Sequence, residues 1–492
     1  MNPGAQSNSP RYTRPARQFM TEAELTEWRA LDDVLQGSSN LLKQAQAARA
    51  SERREIEDTE YGASDRRQRR GILRRARPTT ERLAYAVRNA LSQGSERNMK
   101  RASEAYFRSF DSKYMAYSIA REKMRWDRRP HVGQLATFAE QLNPLELEFE
   151  TANLMPQNRP FVPFQSASAR RPRPIVNFGI HHRARQQQVL KLLKVCFGDF
   201  IRDDQYCFAS RGRDQAILKA IEVMRDPRIE FFAECDVSDF FPTIGEKEGR
   251  FTPALTLQEQ LPMLPRAVID SAVLASGVLL SPSVSVASSR GLEAPYRNPY
   301  ARTGIPQGSA LSSFLAEYVM STIMSDAETH SPGETDMIAY VDNIGIFGAS
   351  ADDVNSMVQP LVGSAETNPF GSFGLARRQT TRHVMQGFIM LGYYMRRQDD
   401  YSIQLEVSDR NKDRFQFQVN EAFSMCRDLS RLTVEEIDDI KALMAHQIAS
   451  WSQSFRLVED ITHLATVLFG EVLHEQSDAI KHEFETHFVV PS

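Results

Sequence analysis

Apolar positions follow different rules in different parts of this 492-residue chain. From about 21 to 150 they recur at helical spacing, as in TEAELTEWRALDDVLQ, with Leu25, Trp28, Leu31 and Leu35, and in RASEAYFRSFDSKYMAYSIAREKMRW. Between about 150 and 400, short apolar runs (RPIVNF, EFFAECDV, MIAYVD, IGIFG) alternate with helical stretches, which predicts a mixed region of strands and helices. After about 405 the helical pattern returns. LTVEEIDDIKALMAHQI opens on Thr433 with Glu436 three residues on, a capping box, and then sets Ile437, Ile440 and Met444 on one face. Residues 1–20, rich in Pro, Ser, Asn and Arg, read as a disordered tail. No internal repeat and no coiled-coil heptad emerges.

Composition changes this picture in one respect. The formal net charge is only −3, yet residues 61–130 hold 19 Lys and Arg against 7 Asp and Glu. A basic N-terminal quarter suits a polyanion partner, although solvated helix faces give the same signal. Tyr85, Tyr106, Phe107, Tyr114, Tyr117 and Trp126 are interleaved with these charges, either to stack on RNA bases or to form the core of that region. The four cysteines (Cys196, Cys207, Cys235, Cys426) lack CxxC spacing and read as reduced core residues of a cytoplasmic protein. The most apolar stretch, AVIDSAVLASGVLLSPSVSVAS (267–288), contains Asp270 and Pro282 and reads as buried structure, not a membrane span.

Two apolar runs are interrupted by acids where a buried strand would favour Val or Ile. FFAECDVSDFFPTI (231–244) carries Asp236, and AYVDNIGIFG (339–348) carries Asp342 and Asn343. Between them, TGIPQGSALSSFLAEYVMSTI (303–323) runs from a Pro-Gln-Gly turn into an apolar helix. Taken singly, an acid at a strand end is most often a turn or cap residue, and such turns precede many helices.

In this order the segments resemble the palm of reverse transcriptases and related nucleic acid polymerases. DVSDFFPTI is similar to motif A, GIPQGSALSSFL to motif B, and YVDN to the Tyr-x-Asp-Asp turn of motif C. RRPRPIVNF (170–178) resembles the fingers segment that grips the triphosphate, YCFASRGRDQAI (206–217) a further segment of bacterial and group II intron enzymes, and MLGYYM (390–395) the Leu-Gly primer grip. The likeness spans about 160–400 and points toward the bacterial reverse transcriptases of antiphage defence and abortive infection.

The resemblance implies an α+β right-hand polymerase: a basic helical domain over 21–150, fingers over 151–235, a palm over 236–400 with part of the fingers, and a helical thumb over 401–492. It implies Mg²⁺, or Mn²⁺, held by Asp236, Val237 and Asp342, with Asn343 completing the catalytic turn. Two divalent ions ~3.5–4 Å apart would stabilise the attacking and leaving oxygens, and hard ions take carboxylate ligands. Arg173, Phe241, Gln307 and Gly308 would meet the nucleotide, Arg170 and Arg171 being nearby candidates. Leu391, Gly392 and Tyr393 would support the primer. An aromatic ring at 241 would exclude a 2′-hydroxyl and favour dNTPs, unless it is simply a core Phe. The implied partners are an RNA template or non-coding RNA, a DNA product, dNTPs, and a second copy or second reverse transcriptase. Some enzymes of this group add nucleotides without a template or prime from their own side chains, and an RNA-templated RNA polymerase is the alternative.

The chain departs from the family pattern twice. Asn343 stands where a second Asp is usual, either as a tolerated peripheral group or as a mark of a weakened polymerase retained for binding. No lysine lies between Lys247 and Lys412, so RRQTTRHV (377–384) places Gln379-Thr380 where the family has Lys-Thr. An arginine, with pKa above ~12, is a poor acid for leaving pyrophosphate. His383 is the titratable candidate in its place.

Overall fold

The structure, a computed structural model, describes residues 63–124, 129–143, 161–162, 178–207, 212–247, 250–274, 281–282, 304–306, 308–331, 334–424, 426 and 432–485. The predicted tail, Arg170, Arg171, Arg173, Gln307 and Trp126 lie outside these residues. The chain divides into two units, one spanning Ile56–Ser408 and the other including Asp409–Ser492.

In the larger unit, helices α1 (Ala63–Ser92), α2 (Glu96–Arg108), α3 (Phe110–Glu122), α4 (Gln134–Gln141) and α5 (Ile180–Phe197) come first. Small apolar residues recurring at helical spacing (Ala76, Ala84, Val87, Ala90) bury one face of α1. The interleaved aromatics separate by role. Tyr106, Phe107, Tyr114 and Tyr117 are buried, and only Tyr85 of the described ones is exposed. Tyr106 donates from its hydroxyl to Gln188 O at 2.8 Å, which fastens α2 to α5. Val87, Tyr106 and Phe107 share one apolar cluster with Leu193, Phe314 and Ile344, so these helices and the central sheet have a common core. Helix α6 (Gly212–Met224) follows.

The central sheet is built from β1 (Phe231–Val237), β2 (Thr335–Tyr340), β3 (Asn343–Gly348) and β4 (Leu375–His383), in the order β2-β3-β1-β4 and antiparallel throughout. Helix α7 (Ser312–His330) precedes β2, and α8 (Ala351–Glu366) joins β3 to β4. The connectivity is therefore β-α-β-β-α-β, a split β-α-β arrangement whose central strands are β1 and β3. Alternation in β1 explains why it sits there. Ala233, Cys235 and Val237 enter the core shared with α7 and α8, which leaves Phe232, Glu234 and Asp236 for the opposite face. Helix α8 packs across all four strands and opens with a capping box, Ser350 and Asp353 exchanging side chain to backbone bonds at 3.1 Å.

A second antiparallel sheet, β5 (Phe388–Met390), β6 (Tyr393–Arg397) and β7 (Ile403–Val407), has β6 in the middle. Its Phe388 stacks on Phe232 with centroids 3.8 Å apart. In the smaller unit, α9 (Asp409–Ser424), α10 (Val434–Ser454), α11 (Ile461–His474) and α12 (Asp478–Glu485) enclose Phe415, Phe423, Met444 and Phe469. The capping box expected at the start of α10 is present: Glu436 N–H donates to Thr433 Oγ1 at 3.2 Å, and Thr433 N–H to Glu436 Oε2 at 2.8 Å. The α+β class is thus what the chain adopts. Among the described residues no helix is long and apolar enough to cross a membrane.

Candidate active site

Asp236 is the penultimate residue of β1, and Asp342 lies in the two-residue connection of the β2–β3 hairpin. The pairing register sets Asp236 opposite Asn343, and Val237 N–H donates to Asp342 O at 2.8 Å. More than a hundred positions apart in sequence, the two acids occupy one end of the two central strands. That interrupted apolar runs mark this end has a physical cause: the flanking residues (Ala233, Cys235, Ile344, Ile346) are buried and fix the strands that carry the acids.

The hairpin connection is strained. Val341 has φ +60, a left-handed conformation that a β-branched residue rarely adopts. Asp239, three residues after Asp236, also has a positive φ, +47. Left-handed backbone therefore adjoins both acids without a glycine to ease it, and such departures cluster where geometry serves a site.

The two carboxylates are treated differently by their neighbours. Asn343 turns its amide toward Asp342 and donates from Nδ2 to Oδ1 at 2.9 Å. Asn343 is thus a donor that orients the acid beside it. On β4, Arg378 places Nη2 2.8 Å from Asp236 Oδ2. The other oxygen of Asp236, Oδ1, is buried and has no hydrogen-bond partner. A buried carboxylate oxygen left unpartnered is costly and suits a hard cation. Asp236 and Asp342 are thus carboxylate donors of the kind a divalent metal requires. Among the described residues no group of three or more His, Cys, Asp and Glu side chains is arranged to hold a metal ion.

A third carboxyl belongs to the same neighbourhood. Glu234, two residues before Asp236 on the same face of β1, is buried and accepts from Gln379 Nε2 at 2.9 Å. Burial foremost pushes its carboxyl above the ordinary range. Asp236 and Asp342 add to that, while Gln379 and Arg378 oppose it. Sequence reasoning passed over Glu234, although its period-two relation to Asp236 was there to be read. Gln379 also bonds Ile389 of β5, at 3.4 Å from the Ile389 N–H, so it ties Glu234 to the second sheet.

Against this geometry stand the comparisons with known proteins. No protein-family model matches the chain, and no curated protein does. Among solved structures it is similar to the RNA-dependent RNA polymerase from bacteriophage phi12, at 12% identity and TM-score 0.34, covering 64% of this chain and 47% of that one. It is also similar to telomerase from Candida albicans in complex with a TWJ fragment of telomeric RNA, at 11% identity and TM-score 0.29, covering 68% of this chain and 64% of that one. The chain thus spans about half the length of the first and less than two thirds of the second. Similarity of this size fixes neither family nor activity.

The remaining expected residues fall in three places. Phe240 and Phe241 share a single helical turn, Phe240–Thr243; Phe240 is buried in the core, set edge-on to Phe373 at 5.2 Å, and Phe241 packs against that core from its edge. Phe241 is half-buried, and its carbonyl accepts from Ile305 N–H at 3.1 Å. This contact joins the turn after Asp236 to the segment before α7. Gly304 makes it possible: it has φ +78, and a Cβ there would lie 2.3 Å from Phe241 O and 2.7 Å from Pro242 O. Gly308 follows with φ +94, and Ala310 N–H donates to Gln186 Oε1 of α5 at 3.3 Å.

Leu391 and Gly392 form the two-residue β5–β6 hairpin turn, both with positive φ as a type I′ turn demands. Tyr393 begins β6, fully buried under Arg213, whose guanidinium carbon is 5.2 Å from the ring centroid. Its hydroxyl donates to Asp214 at 3.5 Å, tying the hairpin to α6.

His383 does not take the role considered for it. The register of β1 and β4 pairs His383 with Phe231 and Ala376 with Asp236, so five residues of strand separate it from the acids. At ~3.3 Å per residue that is roughly 16 Å, beyond the reach of a proton donor to this site. Its ring instead lies edge-on to Phe231, with Nε2 3.9 Å from Glu230. A cation beside Asp236 is instead Arg378, and two register shifts in the β1–β4 ladder account for its being illegible in the sequence.

Proposed function

We propose that the chain is a polymerase-like nucleotidyltransferase whose reaction is centred on Asp236 and Asp342. The observation that carries this reading is their convergence at one end of the central hairpin, with a buried, unpartnered oxygen on Asp236. Asp236 and Asp342 would hold Mg²⁺ or Mn²⁺, which when bound stabilises charge on the oxygens entering and leaving phosphorus. The chain's own residues position the acids: Asn343 orients Asp342 through its amide, and strained Val341 sets the turn from which it projects.

The motif order supports the palm over 236–400, with fingers before it and a thumb in the helices after it. In this reading Val237 contributes to the metal site, Arg173, Gln307 and Gly308 meet the nucleotide, and Leu391, Gly392 and Tyr393 support the primer. Phe241, half-buried at the edge of the core, favours dNTPs over NTPs and hence DNA synthesis. Membership of the bacterial antiphage reverse transcriptases, with a non-coding RNA as template, is the finer form of the same proposal and rests on the YVDN turn and its companion motifs.

A second reading, a catalytically weak subunit that binds RNA or a partner polymerase, draws on a specific observation as well. The site has lost one acid to Asn343, and Asp236 is already paired with Arg378. Purified protein supplied with Mg²⁺ or Mn²⁺, primed RNA and labelled dNTPs separates the two. Incorporation by the wild type that falls below ~0.1% in Asp236→Ala and Asp342→Ala supports the enzyme. No incorporation by the wild type in either metal, with RNA binding retained, favours the binding subunit.

A further inference from the structure

Arg378 is the least expected member of the site. Its guanidinium pairs with a carboxylate that also presents a buried, unpartnered oxygen. Side-chain exposures of 43% for Arg378 and 16% for Asp236 mean that the cation faces solvent while the acid does not. No lysine lies between Lys247 and Lys412, so on β4 the positive charge nearest the acids belongs to an arginine that cannot be discharged by losing a proton. A fixed cation at that distance repels a second cation and competes for the same oxygen. A guanidinium is equally suited to bidentate capture of phosphate oxygens.

We propose that Arg378 is a counter-cation shared between two anions: it rests on Asp236 in the free protein and transfers to the triphosphate of an incoming nucleotide, so that metal binds strongly only when the triphosphate is present. The inference rests on the nucleotidyltransferase reading and adds an order of assembly to it. Asn343 fits the same scheme, because a site with one acid fewer has less charge with which to pull metal in against Arg378. Each anion relieves the other's hold on the guanidinium, and linkage then requires the effect to be reciprocal.

The test uses the full chain and two binding measurements that need no turnover. Mn²⁺ binding without nucleotide is followed by electron paramagnetic resonance, and metal-free binding of a fluorescent, non-hydrolysable dNTP analogue by anisotropy in EDTA. Arg378→Gln is expected to tighten Mn²⁺ binding by about tenfold and to weaken analogue binding by about tenfold, from the loss of one nearby charge. Asp236→Asn is expected to abolish Mn²⁺ binding but to tighten analogue binding, since it frees the guanidinium. Arg378→Lys, which keeps the charge but not the fork, should stay near the wild type in Mn²⁺ binding and lose part of the analogue binding, and thermal melting confirms that each variant is folded.

Should Arg378→Gln leave Mn²⁺ affinity unchanged while Asp236→Asn abolishes it, the shared-cation scheme is overturned and the metal site stands. Should Asp236→Asn leave Mn²⁺ binding intact, the reading of the active site fails, and this inference with it.

Discussion

Phe232 and Asp236 lie on the same face of the same strand, two pleats apart, and meet opposite surroundings. Phe232 stacks on Phe388 at 3.8 Å and tilts against Phe347 at 4.9 Å, so the second sheet closes that end of the face. Asp236 meets a solvent-facing arginine, a hairpin in left-handed conformation and an amide-oriented acid. Gly345 marks the transition between them, since a Cβ there would come within 3.1 Å of both Phe232 and Met390. One strand thus provides a dry anchor at one end and an under-satisfied polar end at the other. The lesson is a division of labour along a single element: rigidity is gathered where aromatic rings stack, and an unpartnered carboxylate oxygen is left where hydrogen bonding is incomplete.

The largest expected effect tests the anchor. Phe232→Ala removes a fully buried ring from between two others and is expected to cost about 3–5 kcal/mol of stability, read from urea unfolding followed by circular dichroism. Asp236→Asn, two pleats away, is expected to leave the midpoint unchanged or raised, because it discharges a carboxylate with an unpartnered buried oxygen. Equal losses from both substitutions would erase the contrast.

A smaller effect is expected at the polar end itself. Phe240 and Phe241 are adjacent and identical in type, yet Phe240 is buried against Phe373 and Phe241 is half-buried beside the contact with Ile305. If Phe241 serves the sugar and Phe240 the core, Phe241→Ala should lower the preference for dNTP over NTP by about tenfold, equivalent to ~1.4 kcal/mol. Competition assays with mixed nucleotides measure it, and unfolding should register little change. A large loss of stability with unaltered selection would return Phe241 to the core.

How much of this was legible follows from what kind of signal each residue carries. Asp236 and Asp342 announced themselves because an acid in an apolar run is an exception to a local pattern, and the strands on either side were readable from their period. The capping box at Thr433 was likewise local, within one helical turn. Glu234 was legible through the same alternation but was masked by the more conspicuous acid beside it. Arg378 was not legible, since its meeting with Asp236 depends on a ladder whose register shifts, and His383 looked eligible only until that ladder placed it beside Phe231. The strain at Val341 had no sequence signature either. Nothing in a valine between tyrosine and aspartate declares a positive φ.

Val341 therefore gives the sharpest form of the comparison, though the smallest energy. At the anchored end, the connection from β4 to β5 reaches its positive φ of +77 with a glycine, Gly387. At the polar end the hairpin reaches +60 with a β-branched residue. A left-handed conformation costs an L-residue roughly 1–2 kcal/mol, and a glycine there would lose only about 0.5–1 kcal/mol in backbone entropy. Val341→Gly should therefore leave the fold unchanged or make it more stable by up to about 1 kcal/mol, a shift that thermal melting resolves. The same substitution lets the turn wander, and Asp342 projects from that turn. Incorporation should then fall several-fold while the melting temperature holds or rises. If stability and incorporation instead drop together, Val341 is a packing residue, and the conformation it adopts does nothing to aim the acid.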